Sequence, residues 1–513
     1  MFLFSFFTPA LHQNSIVNKL DTIDFGCIMI KRLILFLTIL SELIMAQDIE
    51  FANNLYFKYQ TYKEQTITAR RFKQLNILPL IDRLQDKNIF SVNKVGESSQ
   101  KRPIFLINAG KGKTKIFLWS QMHGDESTAT GAIFDIFNFL TADDEFNEFR
   151  NDLLNKVTIY FMPMVNPDGA EVFQRRNDFE IDINRDAVSL QTPEGRVLKE
   201  TFDKLKADFG FNLHDQSTLY TAGHTFKSAV LSFLAPAENF EKSVSVVRGN
   251  AMKLIGHLSN ILSSFIPGHL AKYSDDFEPR AFGDNFQKWG TSTILIESGG
   301  WENDPEKLYI RELNFIALLS AFKSIADQSY KTESLETYEN IPFNEKDLMN
   351  LVIRNVLFEK NGIKSKIDIG ITRTEINCND SKDFYYKSTI EDIGDLSTFF
   401  GYEDFNFDGM EIFVGKTLPQ KLNSASEIEN LNFKQLYEGG YTNVQIDSAL
   451  YKADFTSVPI NIKIFNKSDA KLTIGEIPNF IIRKNGHVKY SVINGFLIDI
   501  ENIPANIKNG LIL

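Results

Sequence analysis

The chain has 513 residues, 43% hydrophobic and 24% charged, a balance that supports folded cores and excludes wholesale disorder. Its formal net charge of −11 argues against nucleic acid or an anionic membrane surface as partner, because both select basic faces. Only Cys27 and Cys378 occur, which excludes a disulfide framework and a cysteine-rich metal site.

The length predicts two or three domains. From Met29 the chain reads Lys31-Arg32, an apolar run from Leu33 to Leu40, then Ser41 to Ala46: the layout of a signal peptide cut after Ala46. The run falls short of the roughly 20 apolar residues that span a bilayer. The expectation is a leader over 1–46 and a mature chain with no stable membrane span, secreted or periplasmic. A first domain over 47–330 and a β-rich module or modules over 341–513 would follow.

Residues 50–90 carry apolar side chains at helical spacing, including Leu75, Ile77, Leu80 and Ile81. Strands are predicted at Pro103 to Ala109 and Lys115 to Gln121, joined as a hairpin by Gly110-Lys111-Gly112-Lys113. An amphipathic helix follows from Ser127 to Leu140, then a doubly buried strand from Val157 to Met164 and a tight turn at Asn166-Pro167-Asp168-Gly169. A helix from Thr192 to Leu205 and strands at Phe209 to His214, Ala229 to Ala235 and Thr291 to Glu297 come next. Helices are predicted from Ser243 to Phe265 and from Pro305 to about Asp327. The alternation predicts an α/β fold, a mixed, largely parallel sheet flanked by helices, with sites gathered beyond the strands' carboxyl ends. Polar residues Gln328 to Asn340 read as a linker. Short strands then recur at Lys366 to Ile371, Met410 to Val414, Val458 to Phe465 and Phe480 to Arg483.

Two predicted strand ends carry the chemistry. His123 and Glu126 are three residues apart, so one helical turn or a tight loop puts both on one face, and Gly124 lets the backbone bend between them. Alone, this spacing also fits a histidine entering a helix beside an acid favoured by the helix dipole. His214 ends a second apolar strand, and two imidazoles with one carboxylate form the ligand set of a catalytic zinc site with one position open.

Further motifs stand around this set in a fixed order. They are Gly96-Glu97-Ser98 to Arg102-Pro103-Ile104, Asn166-Pro167-Asp168-Gly169, Asp182-Ile183-Asn184-Arg185 and Ile296-Glu297-Ser298. Over roughly residues 94 to 325 the succession resembles the zinc carboxypeptidases of the carboxypeptidase A-like metallopeptidase family. The resemblance implies Zn2+ held by His123, Glu126 and His214, with Glu297 as the catalytic carboxylate. It makes Asp182 the partner that orients His123, and Arg175, or by one residue Arg176, the group beside the scissile carbonyl. Asn184 and Arg185 would hold the terminal carboxylate of a peptide substrate, and Tyr273 would be the mobile loop tyrosine.

The implied activity is hydrolysis of the C-terminal peptide bond. The alternatives are a same-fold zinc deacylase or amidase acting on N-acyl amino acids or cell-wall peptides, and a zinc-containing binding protein without turnover. Glu180 departs from the family pattern, standing where many relatives have glycine. Asp275, Asp276, Glu278 and Arg280, in the loop before Glu297, leave the side-chain preference open.

Overall fold

The computed structural model describes residues 42–447, 453, 455–464, 471–505 and 510–511. The expected signal peptide lies outside them except for residues 42–46, which are helical. The chain divides into two units, Met1–Phe57 and Lys58–Leu513. In the first, residues 42–57 are helical. Among the described residues no helix is long and apolar enough to cross a membrane.

The second unit contains an eight-stranded sheet. Its strands are β1 (Phe90–Glu97), β2 (Pro103–Gly110), β3 (Thr114–Ser120), β4 (Val157–Met162), β5 (Phe209–Asp215), β7 (Leu231–Leu234), β8 (Leu270–Lys272) and β9 (Ser292–Ser298). The two-residue β6 (Thr221–Ala222) pairs elsewhere. The spatial order is β1-β2-β4-β3-β5-β9-β7-β8. The central strands β4, β3, β5 and β9 are mutually parallel, while β1, β2 and β7 supply antiparallel pairings.

Consecutive apolar residues such as Ile116, Phe117, Leu118 and Trp119 are buried on both faces, as a strand covered by two helical layers requires. On one face helices Thr128–Thr141 and Leu308–Asp327 pack Phe137 and Phe322 onto Phe161. On the other, helices Pro193–Leu205 and Phe282–Lys288 bring Phe202 and Phe286 together at 4.4 Å, with Trp119 the same distance from Phe286.

Three local expectations are corrected. The hairpin predicted between Pro103 and Gln121 does not form, because β4 lies between β2 and β3 and the true hairpin is β1-β2. The glycines there serve close approach instead of a tight turn: a Cβ on Gly112 would sit 1.9 Å from the Lys156 carbonyl carbon. The tight turn expected at Asn166 is a short helix, Pro167–Val172, whose first turn is capped by the Asn166 side chain accepting from Gly169 N–H. The predicted linker is folded, as a 3-10 turn Ser329–Thr332 and a helix Leu335–Glu339 that bury Tyr330 and Tyr338.

Beyond residue 343 the chain is β-rich. A second large sheet contains Leu348–Lys360, the long hairpin Ile363–Cys378 with Asp383–Gly394, and the strands Phe400–Asn406, Glu411–Val414, Phe480–Lys484, His487–Ile493 and Phe496–Asp499. Its core gathers Leu351, Ile353, Ile371, Ile390, Ile482 and Val492. A smaller parallel sheet joins Lys416–Leu422, Tyr441–Ile446 and Asn461–Lys463.

Candidate metal centre and active site

β3 stops at Ser120, and Gln121 turns the chain with φ of 51°. The Gln121 amide then donates to the Gly124 carbonyl at 2.9 Å, fixing the loop that carries His123 and Glu126. Gly124 lies against the backbone of Gly169 and Ala170, so the loop meets the short helix Pro167–Val172 where Gly124 has no room for a side chain. His214, near the carboxyl end of β5, completes the cluster.

The nearest ligand atoms of His123, Glu126 and His214 lie within 4.8 Å of one another, and all three residues are buried. His123 Nδ1 is 2.8 Å from Glu126 Oε1, and His214 Nδ1 is 2.6 Å from Glu126 Oε2. Glu126 also accepts the Asp215 N–H at 3.2 Å.

Asp182 caps the 3-10 turn Ile183–Arg185 and lies 3.1 Å from His123 Nε2. A carboxylate held by arginine can only accept, so Nε2 carries a proton toward Asp182, which leaves Nδ1 as the nitrogen that would coordinate a metal. Arg175 donates to Asp182 Oδ2 through Nε at 3.2 Å and Nη2 at 3.0 Å, and reaches Glu126 Oε1 at 3.2 Å. Arg176 points elsewhere, to the Glu180 carbonyl.

Burial by itself would depress the His123 pKa, but the Glu126 charge and the Asp182 bond outweigh it and push it up to about 9. Burial opposes ionisation of Glu126 too, yet the two imidazoles hold it well below the usual carboxylate range. The pocket therefore favours added positive charge where two ring nitrogens and a carboxylate converge, and this donor set fits a zinc ion.

Glu297 is the register partner of His214 across β5 and β9. Burial, then repulsion from Glu126, raises its pKa well above the ordinary value. Tyr273 follows β8 and meets Tyr220 edge-on at 6.3 Å. Burial and then the Glu297 charge push its hydroxyl upward as well. Asn184 is buried: its amide oxygen accepts the Phe282 N–H at 2.9 Å and its nitrogen is 3.5 Å from His214 Nε2. Arg185 is partly exposed, with Nε 3.4 Å from Glu278, and Arg280 holds the same carboxylate at 3.0 Å. Glu180 has φ of 58°, the left-handed region that glycine enters without a Cβ penalty, a backbone shape that accords with the glycine the family resemblance implies there.

Two supports have no motif of their own. Asp215 accepts from Thr128 at 2.6 Å and pairs with the buried Lys307 at 3.2 Å, tying the starts of two helices to the end of β5. The only sequence signal was its adjacency to His214. Glu278 and Arg280 were visible as charges, but their meeting with Arg185 depends on a fold of the loop that spacing does not specify.

Residues 77–251 match the family model for the zinc carboxypeptidase. This segment belongs to the zinc carboxypeptidase family. It contains His123, Glu126, Arg175, Asp182, Asn184, Arg185 and His214; Tyr273 and Glu297 lie beyond it.

Among curated relatives, a probable carboxypeptidase 2 of Arthroderma benhamiae is 30% identical over 119 residues, covering 23% of this chain and 21% of that protein. Carboxypeptidase 2 of Trichophyton equinum is 28% identical over 142 residues, 26% of this chain and 25% of its own. The chain thus spans about a fifth to a quarter of those relatives.

Among solved structures, a metallo-carboxypeptidase from Burkholderia cenocepacia aligns with TM-score 0.42 and 16% identity, over 50% of this chain and 70% of that one. Carboxypeptidase A from Helicoverpa armigera aligns with TM-score 0.42 and 11% identity, over 56% and 80%.

Proposed function

We propose that the protein is a zinc-dependent metallocarboxypeptidase that removes the last residue of a peptide, exported to the periplasm or the cell exterior. The observation that carries the reading is the buried convergence of His123, Glu126 and His214, with Glu297 in register beside His214 and Arg175 against the cluster. The three convergent residues would hold the metal. When bound there, zinc would supply Lewis acidity and lower the pKa of a water molecule to about 7.

In this reading Glu297 takes a proton from the attacking water as its oxygen bonds to the scissile carbonyl carbon. It then passes that proton to the amide nitrogen as the C–N bond breaks. The products are a shortened peptide with a new carboxylate and a free amino acid. Arg175 stabilises the charge developing on the carbonyl oxygen, usually the largest single catalytic term. Arg185 offers a planar fork to the substrate's terminal carboxylate and so selects a chain end. Asn184, engaged with Phe282 and His214, supports that segment from behind more than it meets substrate. Tyr273 borders the site and closes over the bound residue. Asp182 holds the His123 tautomer.

The test is incubation of the protein with a C-terminal peptide library, with and without a chelator, and with Glu297→Gln. Release of single C-terminal residues, lost on chelation and in Glu297→Gln, is the expected result. Chelator-insensitive release would overturn the mechanism. Release from N-acyl amino acids but from no peptide would move the assignment to a deacylase of the same fold.

A further inference from the structure

The β-rich region lies outside the family match, yet its long hairpin reaches the segment that carries Arg175. Near the hairpin tip, Asn377 Nδ2 donates to the Phe173 carbonyl at 3.0 Å and the Val172 carbonyl at 3.3 Å. Its Oδ1 accepts from Arg71 Nε at 3.2 Å. The Arg71 guanidinium lies between two rings, 4.3 Å from the centroid of Phe173 and 4.2 Å from that of Phe384. Glu375, two residues earlier on the strand, takes Arg70 on both oxygens at 2.7 and 2.8 Å and Arg71 at 2.7 Å.

Phe173 is the residue these contacts grip, and it is strained. Its φ of 48° and ψ of 59° lie in the left-handed region, a conformation that bulky side chains adopt only when their surroundings impose it. The turn at Phe173 ends helix Pro167–Val172 and delivers Arg175 two residues later. From the other side, Asn166 Nδ2 approaches the Arg175 carbonyl at 3.4 Å, and Gln174 N–H bonds to the Gly169 carbonyl at 2.9 Å. The catalytic segment thus supplies one half of the grip and the hairpin the other.

We propose that Asn377, with Glu375 holding Arg71 in place, is a positioning residue for Arg175, so that the C-terminal β region completes the active site from behind. This rests on the reading of Arg175 as the group that stabilises the oxyanion. Asn377 touches no substrate. Its effect falls on transition-state stabilisation and leaves ground-state binding largely intact.

The test is a double-mutant cycle on the full-length zinc-loaded protein, with kcat and KM measured on one peptide for Asn377→Ala, Asn377→Asp, Arg175→Ala and each pair. Asn377→Asp keeps the size and the acceptor for Arg71, but loses the amide donor and sets a negative charge against the Phe173 and Val172 carbonyls. Both Asn377 variants are expected to lower kcat about tenfold with KM within about twofold, and to change kcat by less than about twofold when Arg175 is already alanine. Melting temperatures close to the parent's separate this from general unfolding. Equal losses of kcat in the presence and absence of Arg175 would overturn the proposal, as would unchanged kcat in both single variants. Undiminished kcat in Arg175→Ala would instead remove the reading of Arg175 itself, and the hairpin's role would fall with it.

Discussion

His214 and Glu297 stand opposite each other in the register of two adjacent parallel strands, β5 and β9. Partners across a parallel pair project from the same face, and the roughly 4.8 Å between strands sets their spacing. A metal-ligand candidate and a general-base candidate are therefore placed by the sheet's own ladder, with no loop geometry between them. Because their roles are separable, Glu297→Gln is expected to lower kcat by about 10²–10⁴-fold while bound zinc, measured by atomic emission after dialysis, stays at the parent's level.

Gly124 makes a second, purely steric prediction. A Cβ there would lie 2.0 Å from the Gly169 carbonyl carbon and 2.3 Å from the Ala170 nitrogen, both backbone atoms with no rotamer to change. Gly124→Ala should force this loop away from helix Pro167–Val172 at a cost of about 1–3 kcal/mol, seen as a lower melting temperature. Zinc should be lost to a chelator sooner, since His123 and Glu126 flank the displaced residue.

These two cases mark what could be read without coordinates. The grouping of His123, Glu126 and His214 was legible because each closely follows or ends an apolar run and the three residue types suit one metal, whereas Asp182 and Glu297 were named only through the family resemblance. The α/β alternation was legible from the apolar runs too. The order of strands was not: the Gly110 to Lys113 segment has hairpin composition, and only the insertion of β4 reveals that its glycines make room for a neighbouring backbone. The segment from Gln328 to Asn340 read as a linker because its polar residues mask Tyr330 and Tyr338, whose burial depends on helix Val246–Leu262, far away in sequence.

Glu278 supplies a prediction about binding. Its carboxylate sits 3.4 Å from Arg185, where a substrate's terminal carboxylate is expected, and Arg280 holds it from the other side. Both side chains of the Arg185 pair are partly exposed, so the competition is worth at most about 1 kcal/mol. Glu278→Gln should lower KM about three- to fivefold with little change in kcat. Raising the ionic strength should narrow the difference between the two proteins.

Asp284 makes stability depend on pH. Burial, only partly offset by the Glu278 N–H and by Arg185, pushes its pKa from the ordinary 3.8 up to about 7. The folded state thus binds this proton more tightly than the unfolded state, and the penalty for ionising it grows as pH rises from about 4 to about 7. Asp284→Asn keeps an acceptor for the Glu278 N–H and removes the charge. Its melting temperature should exceed the parent's at pH 8 and approach it near pH 4. A gap that is constant across this range would show that Asp284 ionises freely in the folded protein.

The hairpin that grips Phe173 carries a buried Cys378 beside Asn377, the one cysteine among the described residues. The protein thereby contains its own clock for that contact. A thiol reagent can reach Cys378 only when the strand lifts, so the labelling rate in the resting protein reports how often the arm lets go. A substrate analogue that draws Arg175 into place should slow it.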